Sequence, residues 1–213
     1  MRVAAFIPIK ARSERVPGKN LRELGGRSLY RYIIDTALDA FGDVYVDTDS
    51  GEIAAFAGSR GCDVISRLPE LRENSANGND LLRYHREQYP DYDIYCQLFA
   101  TAPFLMPDSI KACIDAVKTG VYDSAMTVTA DKRFCWYDGC PVTYERWTLP
   151  RSQDMQSLVT ETTGCYVITG TALDKYMARM GSSVYMHNVS KREAIDIDTE
   201  EDWAAAEAMV CVQ

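Results

Sequence analysis

The order of apolar segments along the chain constrains the fold more than any other feature. Short apolar runs alternate with longer segments of helical periodicity, and the connections between them are short. The strand-like runs are "VAAFIPI", "DVYVDT", "CDVIS" and "DIYCQLFA", and the helical segments are "RSLYRYIIDTALDAF", "GEIAAFAGSR", "NDLLRYHREQY" and "PDSIKACIDAVKTG". This alternation predicts an α/β fold with a mainly parallel sheet, covered by helices on both faces, in which "DIYCQLFA" is a central strand. The 213 residues suffice for one domain, which we expect to span 1–213.

The second half of the chain is less regular. "SAMTVT", "GCYVIT" and "SVYMHNV" predict further strands, and "EEDWAAAEAMVCV" predicts a last helix. Thr199, with Asp202 three residues later, has the spacing of a capping box at the start of that helix. Residues 131–155 are aromatic and turn-rich and lack a helical period, so we expect an excursion from the main sheet. Exposed aromatic side chains together with Arg are favoured at protein interfaces.

Charge and cysteine content limit the class of protein. A net charge of −8 argues against broad binding to nucleic acid or to a membrane surface. The apolar start lacks a cleavage site, and no run approaches the roughly 20 apolar residues of a membrane span, so we expect a cytoplasmic protein. The seven cysteines contain no CxxC pair, which favours free, buried thiols over a metal site or disulfides. They are Cys62, Cys96, Cys113, Cys135, Cys140, Cys165 and Cys211.

A basic loop, "KARSERVPGK", follows the first predicted strand directly. It carries Lys10, Arg12, Arg15 and Lys19 on a chain that is acidic overall. Ligands of parallel sheets bind beyond the carboxyl ends of the strands, where this loop is expected. Its cations and backbone N–H groups can surround a polyphosphate. The alternative is an ordinary solvated loop, since neither a Walker loop nor a GxGxxG pattern is present.

Two further segments carry candidate ligands. In "AIDIDTEED", Asp196 and Asp198 alternate with isoleucines, so an extended backbone places both carboxylates on one face, about 7 Å apart. Such a pair can hold Mg²⁺, although acids are also favoured simply by the start of a helix. Gln97 lies inside an apolar strand and needs hydrogen-bond partners, either in a ligand or in neighbouring backbone.

These segments together resemble a known family. "IPIKARSERVPGKN" is similar to the signature loop of the cytidylyltransferases that activate 3-deoxy-2-keto sugar acids, with matches at Pro8, Ser13, Pro17, Lys19 and Asn20. "DTDSGEIA" and "IDIDT" are similar to two further family motifs, while "LFATAPFL" and "PRSQDM" look most like the pseudaminate branch. The resemblance extends from Phe6 to about Glu207.

The chain departs from the family pattern in the loops that contact ligands. Lys10 stands where the family has Arg, which keeps the charge but loses the planar fork, and Arg12 replaces a small residue. The usual Asn-Gly is Thr163-Gly164, and "NSANGND" lacks the usual serine. The missing serine leaves the contacts to the nucleobase open.

The resemblance implies a single Rossmann-like, three-layer αβα domain that transfers CMP from CTP to a 2-keto-3-deoxy nonulosonic acid. In that reading Lys19, Arg15 and Asp198 are catalytic, and Asp196 with Asp198 holds Mg²⁺. The implied nucleotide-binding residues are Lys10, Arg12, Ser13, Arg15, Lys19, Asn20 and Arg67, and the implied sugar-binding residues are Gln97, Arg151, Thr163 and Tyr166. Residues 131–155 are implied to form a homodimer contact, with Arg151 acting in its own subunit or across the dimer.

Several alternatives remain open at this point. Within the family, a 3-deoxy-manno-octulosonate enzyme is the first alternative and an N-acetylneuraminate enzyme the second, and GTP in place of CTP is not distinguished. Lys10 and the altered "NSANGND" stretch also fit a nucleotide-binding homologue that has lost catalysis. A dinucleotide-dependent oxidoreductase is disfavoured by the missing glycine fingerprint. We assign no histidine base, because His85 and His187 fall in a predicted helix and strand and fit structural roles.

Overall fold

The structure is a computed structural model that describes residues 1–73 and 75–210. Its strands are β1 (Val3–Ile9), β2 (Glu23–Leu24), β3 (Arg27–Ser28), β4 (Asp43–Thr48), β5 (Asp63–Ser66), β6 (Ile94–Leu98), β7 (Ser124–Asp131), β8 (Trp136–Tyr137), β9 (Cys140–Pro141), β10 (Leu158–Thr169) and β11 (Val184–Asn188). The α-helices are α1 (Leu29–Ala40), α2 (Gly51–Ser59), α3 (Gly78–Gln88), α4 (Pro107–Lys118), α5 (Gly170–Tyr176) and α6 (Glu200–Val210). Short 3₁₀ turns cover Pro69–Leu71 and Ser152–Asp154.

A seven-stranded sheet forms the centre of the molecule, in the order β11-β7-β10-β6-β1-β4-β5. The predicted mainly parallel sheet is confirmed, and β6, which contains most of "DIYCQLFA", is its middle strand. The exception is β10, which runs antiparallel to both β6 and β7. The excursion joins the end of β7 to the start of β10 at the same end of the strands, without a crossover to the other end. The strand β10 therefore runs in the opposite direction to β7.

The strands present alternate residues to the two helical layers. Ala5 and Ile7 of β1 belong to a core cluster with residues of α1, α2 and α4, while Ala4 and Phe6 belong to a cluster with α3 and α5. This alternation is the expected consequence of a pleated strand buried on both faces. The predicted three-layer αβα arrangement is therefore present.

The helix boundaries follow local signals that the sequence contains. The Ser50 side chain accepts the N–H of Ile53 and caps α2, and Thr199 with Asp202 forms the expected capping interactions before α6. Gly61 follows α2 with φ +87°, a conformation that favours glycine. Helix α5 and the β2–β3 hairpin were not predicted, because elements of seven and two residues are too short to show a period.

Residues 132–155 form a small unit beside the main sheet, since Asp131, where the predicted excursion starts, is the last residue of β7. The β8–β9 hairpin is a separate two-stranded sheet, and several large apolar side chains around it face solvent. Trp147 is 91% exposed and Leu149 is 78% exposed. The predicted excursion is thus observed, while its role as a dimer contact remains a prediction.

The cysteines only partly match the expectation of buried free thiols. Cys62, Cys96, Cys113 and Cys165 are free and buried, whereas Cys135 is half-buried and Cys140 is exposed, both in the excursion. Cys211 lies outside the described residues, as does Asn74 of the "NSANGND" stretch.

None of the helices in residues 1–73 and 75–210 combines the length and the apolar character that a membrane crossing requires.

Candidate functional site

A cleft of about 530 Å³ lies where β1, β5 and β6 end. Its walls come from the basic loop after β1, the start of α3, the residues after β6 and the acidic segment before α6. The predicted site residues that line it are Lys10, Arg12, Ser13, Arg15, Lys19, Asn20, Arg67, Thr163, Asp196 and Asp198. The fold therefore brings together segments from both ends of the chain.

The basic loop contacts the acidic segment directly. Arg15 Nη2 lies 2.9 Å and Lys19 Nζ 3.3 Å from Asp198 Oδ1. Lys19 Nζ also donates to the backbone carbonyl of Ile197 at 2.5 Å. Lys19 is 7% exposed, so its ammonium depends on these oxygens in place of water.

Apolar packing holds the two segments against each other. Val16 of the basic loop and Ile197 of the acidic segment are fully buried in one cluster with Trp203 of α6. The Arg22 guanidinium lies over the Trp203 ring, 4.1 Å from its centroid. The predicted packing of the isoleucines behind the acids is confirmed for Ile197, and Ile195 packs on the same cluster.

Hydrogen bonds from neighbouring elements set the shape of the basic loop. Asn20 Nδ2 donates to the carbonyl of Lys10 at 2.7 Å, and the N–H of Ala11 donates to Asp49 Oδ1 at 2.7 Å. Lys10 Nζ reaches the carbonyl of Glu73 at 3.1 Å. The loop is thereby tied to the residue after β4 and to the segment before α3, and its cationic side chains line one cleft.

The two acids differ in their surroundings. Asp198 is paired with the loop cations, whereas Asp196 Oδ2 accepts from Thr163 Oγ1 at 2.5 Å. Asp196 Oδ1 is buried and has no hydrogen-bond partner within the described residues. Thr163, at φ +56°, adopts a left-handed conformation that is uncommon for a β-branched residue.

The donor set suits a cation that keeps part of its shell for a substrate. In residues 1–73 and 75–210 no three His, Cys, Asp or Glu side chains gather in a way that could hold a metal ion by themselves. Two carboxylates with one unsatisfied oxygen instead fit Mg²⁺, which is commonly bound by one or two carboxylates together with substrate phosphates.

Gln97 and Tyr166 lie behind the surface of the cleft. Both are buried, and neither belongs to its lining. Gln97 Nε2 donates to the carbonyl of Gly78 at 2.8 Å, while its Oε1 has no partner among the described residues. The Tyr166 hydroxyl donates to Glu161 at 2.6 Å. The backbone partner considered for Gln97 is therefore present for one of its two polar atoms.

Arg151 lies on the excursion and not in the cleft. Its side chain is 75% exposed and pairs with Asp154 at 2.8 Å. Within one protomer the structure does not bring Arg151 to the other predicted site residues.

A buried triad of Arg67, Asp47 and His85 supports the wall formed by Arg67. Arg67 Nε lies 3.0 Å from Asp47 Oδ1, and His85 Nε2 lies 2.9 Å from Asp47 Oδ2. Burial alone would raise the pKa of Asp47, but the hydrogen bond from His85 and the charge of Arg67 outweigh it and hold that pKa below its usual value. Burial lowers the pKa of His85, which stacks on Phe6 with ring centroids 4.8 Å apart. The structural role expected for His85 is what the triad displays.

Some residues of the site were not predicted. Asp47, near the carboxyl end of β4, and Asp49, directly after β4, hold Arg67 and the basic loop from behind, and the edge rule could have selected them. Asn77 caps α3 with its side chain and also lines the cleft. Arg179 lines the cleft as well, and no motif around it signals a role.

Comparisons of the sequence with known proteins give consistent matches. A family model described as cytidylyltransferase matches residues 4–166. N-acylneuraminate cytidylyltransferase A of Danio rerio is 28% identical over 218 residues, which cover 98% of this chain and 50% of that protein. CMP-N,N'-diacetyllegionaminic acid synthase of Legionella pneumophila is 27% identical over 229 residues, covering 99% and 97%. The chain thus spans about half the length of the N-acylneuraminate relative and nearly all of the legionaminic acid relative.

The fold has counterparts among solved structures. A CMP:2-keto-3-deoxy-manno-octonic acid synthetase complexed with CTP superposes with a TM-score of 0.75 at 16% identity, covering 100% of this chain and 99% of that one. At this identity the likeness concerns the fold, and it confirms the predicted Rossmann-like architecture.

Proposed function

Because this chain belongs to the cytidylyltransferase family, we propose that it transfers CMP from CTP to the anomeric hydroxyl of a 2-keto-3-deoxy nonulosonic acid. The products are the CMP-sugar and pyrophosphate. The sugar hydroxyl attacks the α-phosphorus, its oxygen forms the new P–O bond, and the bond to the pyrophosphate oxygen breaks. The hydroxyl proton is released.

One observation carries the proposal: the contact of Arg15 and Lys19 with Asp198 in a single cleft. A nucleoside triphosphate brings about four negative charges, and positioning together with charge neutralisation supplies most of the catalysis in phosphoryl-type transfers. Cations from the loop after β1 are suited to the triphosphate. Lys10, Arg12, Ser13, Asn20 and Arg67 also line the cleft and are assigned to the nucleotide.

Asp196 and Asp198 are the residues that would hold Mg²⁺. When bound, this ion would neutralise phosphate charge and lower the pKa of a coordinated hydroxyl. Arg15 and Lys19 keep the Asp198 carboxylate beside the loop that binds the phosphates.

The choice of sugar acid is the finer part of the proposal. The legionaminic acid and N-acylneuraminate relatives are named for nonulosonic acids and together match nearly the whole chain. The motifs "LFATAPFL" and "PRSQDM" favour a pseudaminic acid within that class. A 3-deoxy-manno-octulosonate substrate is the second candidate, favoured by a relative of that name that is 32% identical over 123 residues.

We also propose a homodimer formed through residues 131–155, supported by the exposed aromatic side chains of that unit. We further propose a cytoplasmic location, because CTP is the proposed substrate and four cysteines are free and buried.

A pyrophosphate-release assay that crosses CTP, GTP, ATP and UTP with pseudaminic, legionaminic, N-acetylneuraminic and 3-deoxy-manno-octulosonic acids tests the proposal. We expect release with CTP and a nonulosonic acid in the presence of Mg²⁺. Release with only the octulosonic acid would replace the substrate class. Nucleotide binding without release in any combination would favour an inactive binding homologue.

A further inference from the structure

Arg179 lies in the cleft but belongs to none of the motifs that identify the family. It is part of the segment between α5 and β11, which begins at Met177 in a left-handed conformation with φ +53°. The backbone N–H of Arg179 donates to Asn79 Oδ1 at 3.0 Å, so the segment is fastened to the first turn of α3. This contact brings the side chain to the wall of the cleft.

The plane of the Arg179 guanidinium is restrained by an aromatic ring. Its Cζ lies 3.7 Å from the centroid of Tyr166, close enough for a strong cation–π contact. Tyr166 is 1% exposed and its hydroxyl is bound to Glu161, so the ring itself is held in place. A guanidinium stacked on a buried ring loses little further freedom when it binds a ligand.

The N–H donors of this guanidinium are largely unused. In the part of the chain that the structure describes, the Arg179 side chain donates no hydrogen bond, and its ion pair with Glu161 is long at 3.6 Å. Glu161 already accepts the Tyr166 hydroxyl through the same oxygen. The Arg179 side chain is 27% exposed at the cleft, so solvent or a ligand can reach it.

The surroundings of Arg179 separate it from the phosphate-binding loop. The loop cations contact Asp198, the Ile197 carbonyl and the Glu73 carbonyl, and none of these groups contacts Arg179. Arg179 instead lies beside Gly78 and Gln97. A Cβ added to Gly78 would be 3.3 Å from Arg179 Nη1 and 3.2 Å from Gln97 Oε1. The cleft therefore has a second cationic region, next to a buried amide oxygen that has no partner within the described residues.

An arginine fork matches a carboxylate, with two parallel N–H···O bonds. The proposed sugar substrate carries one carboxylate, next to the anomeric carbon. Arg151, which family resemblance assigns to that carboxylate, is exposed on the excursion and paired with Asp154. We propose that Arg179, from the same protomer as the basic loop, binds the carboxylate of the sugar acid. The assignment rests on the proposed function of this cleft.

Steady-state kinetics of Arg179→Gln, Arg179→Lys, the rival variant Arg151→Gln and the control Arg60→Gln test this assignment. Each is measured with the sugar acid that the wild type uses and with its C1 carboxamide. We expect Arg179→Gln to raise the KM for the acid roughly 10- to 100-fold and the KM for CTP less than about 3-fold, since a charge-assisted hydrogen-bond pair is lost. The same variant should discriminate little between acid and amide, and Arg179→Lys should recover part of the loss. Arg60→Gln, at an exposed arginine that pairs with Asp35 outside the cleft, should change each KM less than about 3-fold. Arg151→Gln tests the competing assignment.

Different results overturn different claims. An unchanged acid KM in both Arg179 variants, or a loss confined to Arg151→Gln, overturns the assignment while wild-type turnover preserves the proposed function. A raised CTP KM with an unchanged acid KM moves Arg179 to the nucleotide. If the wild type releases no pyrophosphate with any sugar acid, the proposed function fails, and the Arg179 assignment fails with it. Thermal unfolding of each variant identifies any that does not fold. If Arg179→Gln does not fold, Arg179→Lys still tests the assignment, because it keeps the positive charge and the aliphatic part of the side chain.

Discussion

Lys19 Nζ lies 3.3 Å from the Asp198 carboxylate, although 179 positions separate the two residues in the sequence. The Lys19 side chain is 8% exposed, so most of its hydration is replaced by Asp198 and the Ile197 carbonyl. Arg15 shares the same carboxylate oxygen. The Asp198 carboxylate thus lies between two cations, Arg15 and Lys19, in the cleft. Substitutions at each residue test its role separately.

Asp198→Asn should reduce Mg²⁺-dependent turnover on the order of 10²-fold or more while the fold is kept, because an amide neither neutralises nor holds a divalent ion. Pyrophosphate release measured across a Mg²⁺ titration checks this. Glu200→Gln is the matched control, since Glu200 is an exposed acid two positions away that pairs with Arg22. Undiminished turnover of Asp198→Asn would contradict the metal assignment.

Lys19→Ala should raise the KM for CTP roughly 10- to 100-fold with a smaller effect on the sugar acid, because a desolvated charged donor to the phosphates is removed. Lys118→Ala is the control for net charge, as Lys118 is an exposed lysine at the end of α4. Equal KM values for CTP in the wild type and Lys19→Ala would argue against phosphate contact. Circular dichroism of both variants checks that the fold is intact.

His85 predicts a pH dependence of stability. Its folded-state pKa is lowered by burial below the ordinary 6.5, and a second proton at Nδ1 would find no acceptor among the described residues. The unfolded chain therefore binds this proton more readily, so the contribution of neutral His85 is fully present above about pH 6.5 and declines as the pH falls below it. One proton gives a slope of at most about 1.4 kcal/mol per pH unit.

Urea unfolding between pH 8 and pH 5 measures that slope. His85→Gln, which keeps an N–H donor for Asp47, should have a shallower dependence over this range. His187→Gln removes the other histidine of the chain and leaves Asp47 untouched. Identical slopes for the wild type and His85→Gln would mean that His85 does not titrate in this way. The lowered pKa of Asp47 acts at more acidic pH and does not interfere.

Trp203→Ala should lower the free energy of unfolding by about 3–5 kcal/mol, as expected for removal of a fully buried large side chain. Because Trp203 packs in one cluster with Val16 and Ile197, we also expect weaker CTP binding. Trp203→Phe should recover much of both losses. Calorimetric titration measures CTP binding, and chemical unfolding measures stability. If Trp203→Ala is destabilised but binds CTP with wild-type affinity, the packing of Trp203 does not support the nucleotide site.

The double variant Trp147→Glu and Leu149→Glu should convert the proposed dimer to monomers with little change in thermal stability, since both side chains are exposed in one protomer. Sedimentation velocity measures the change in mass. Val121→Glu, at another exposed apolar side chain outside the excursion, serves as the control. A monomeric wild type would refute the proposed dimer contact.

Much of this protein was predictable from local sequence. The strand–helix alternation, the central position of β6 and the caps at Ser50 and Thr199 depend on residues within a few positions of one another. The basic loop and the paired acids were also evident, because contiguous motifs with fixed spacing carry them. Such features arise from backbone preference and periodic burial, which a sequence displays directly.

Other features were decided only by the tertiary structure. The direction of β10 follows from where the excursion leaves and rejoins the sheet, and the burial of Gln97 and Tyr166 follows from what packs over them. Lys19 contacts Asp198, and Arg179 lines the same cleft as the basic loop. No local sequence pattern connects these parts of the chain. Sequence alone determines which chemical groups are available, but the partners of these groups depend on long-range packing. The same packing places Arg179 in the cleft and leaves Arg151 exposed on the excursion.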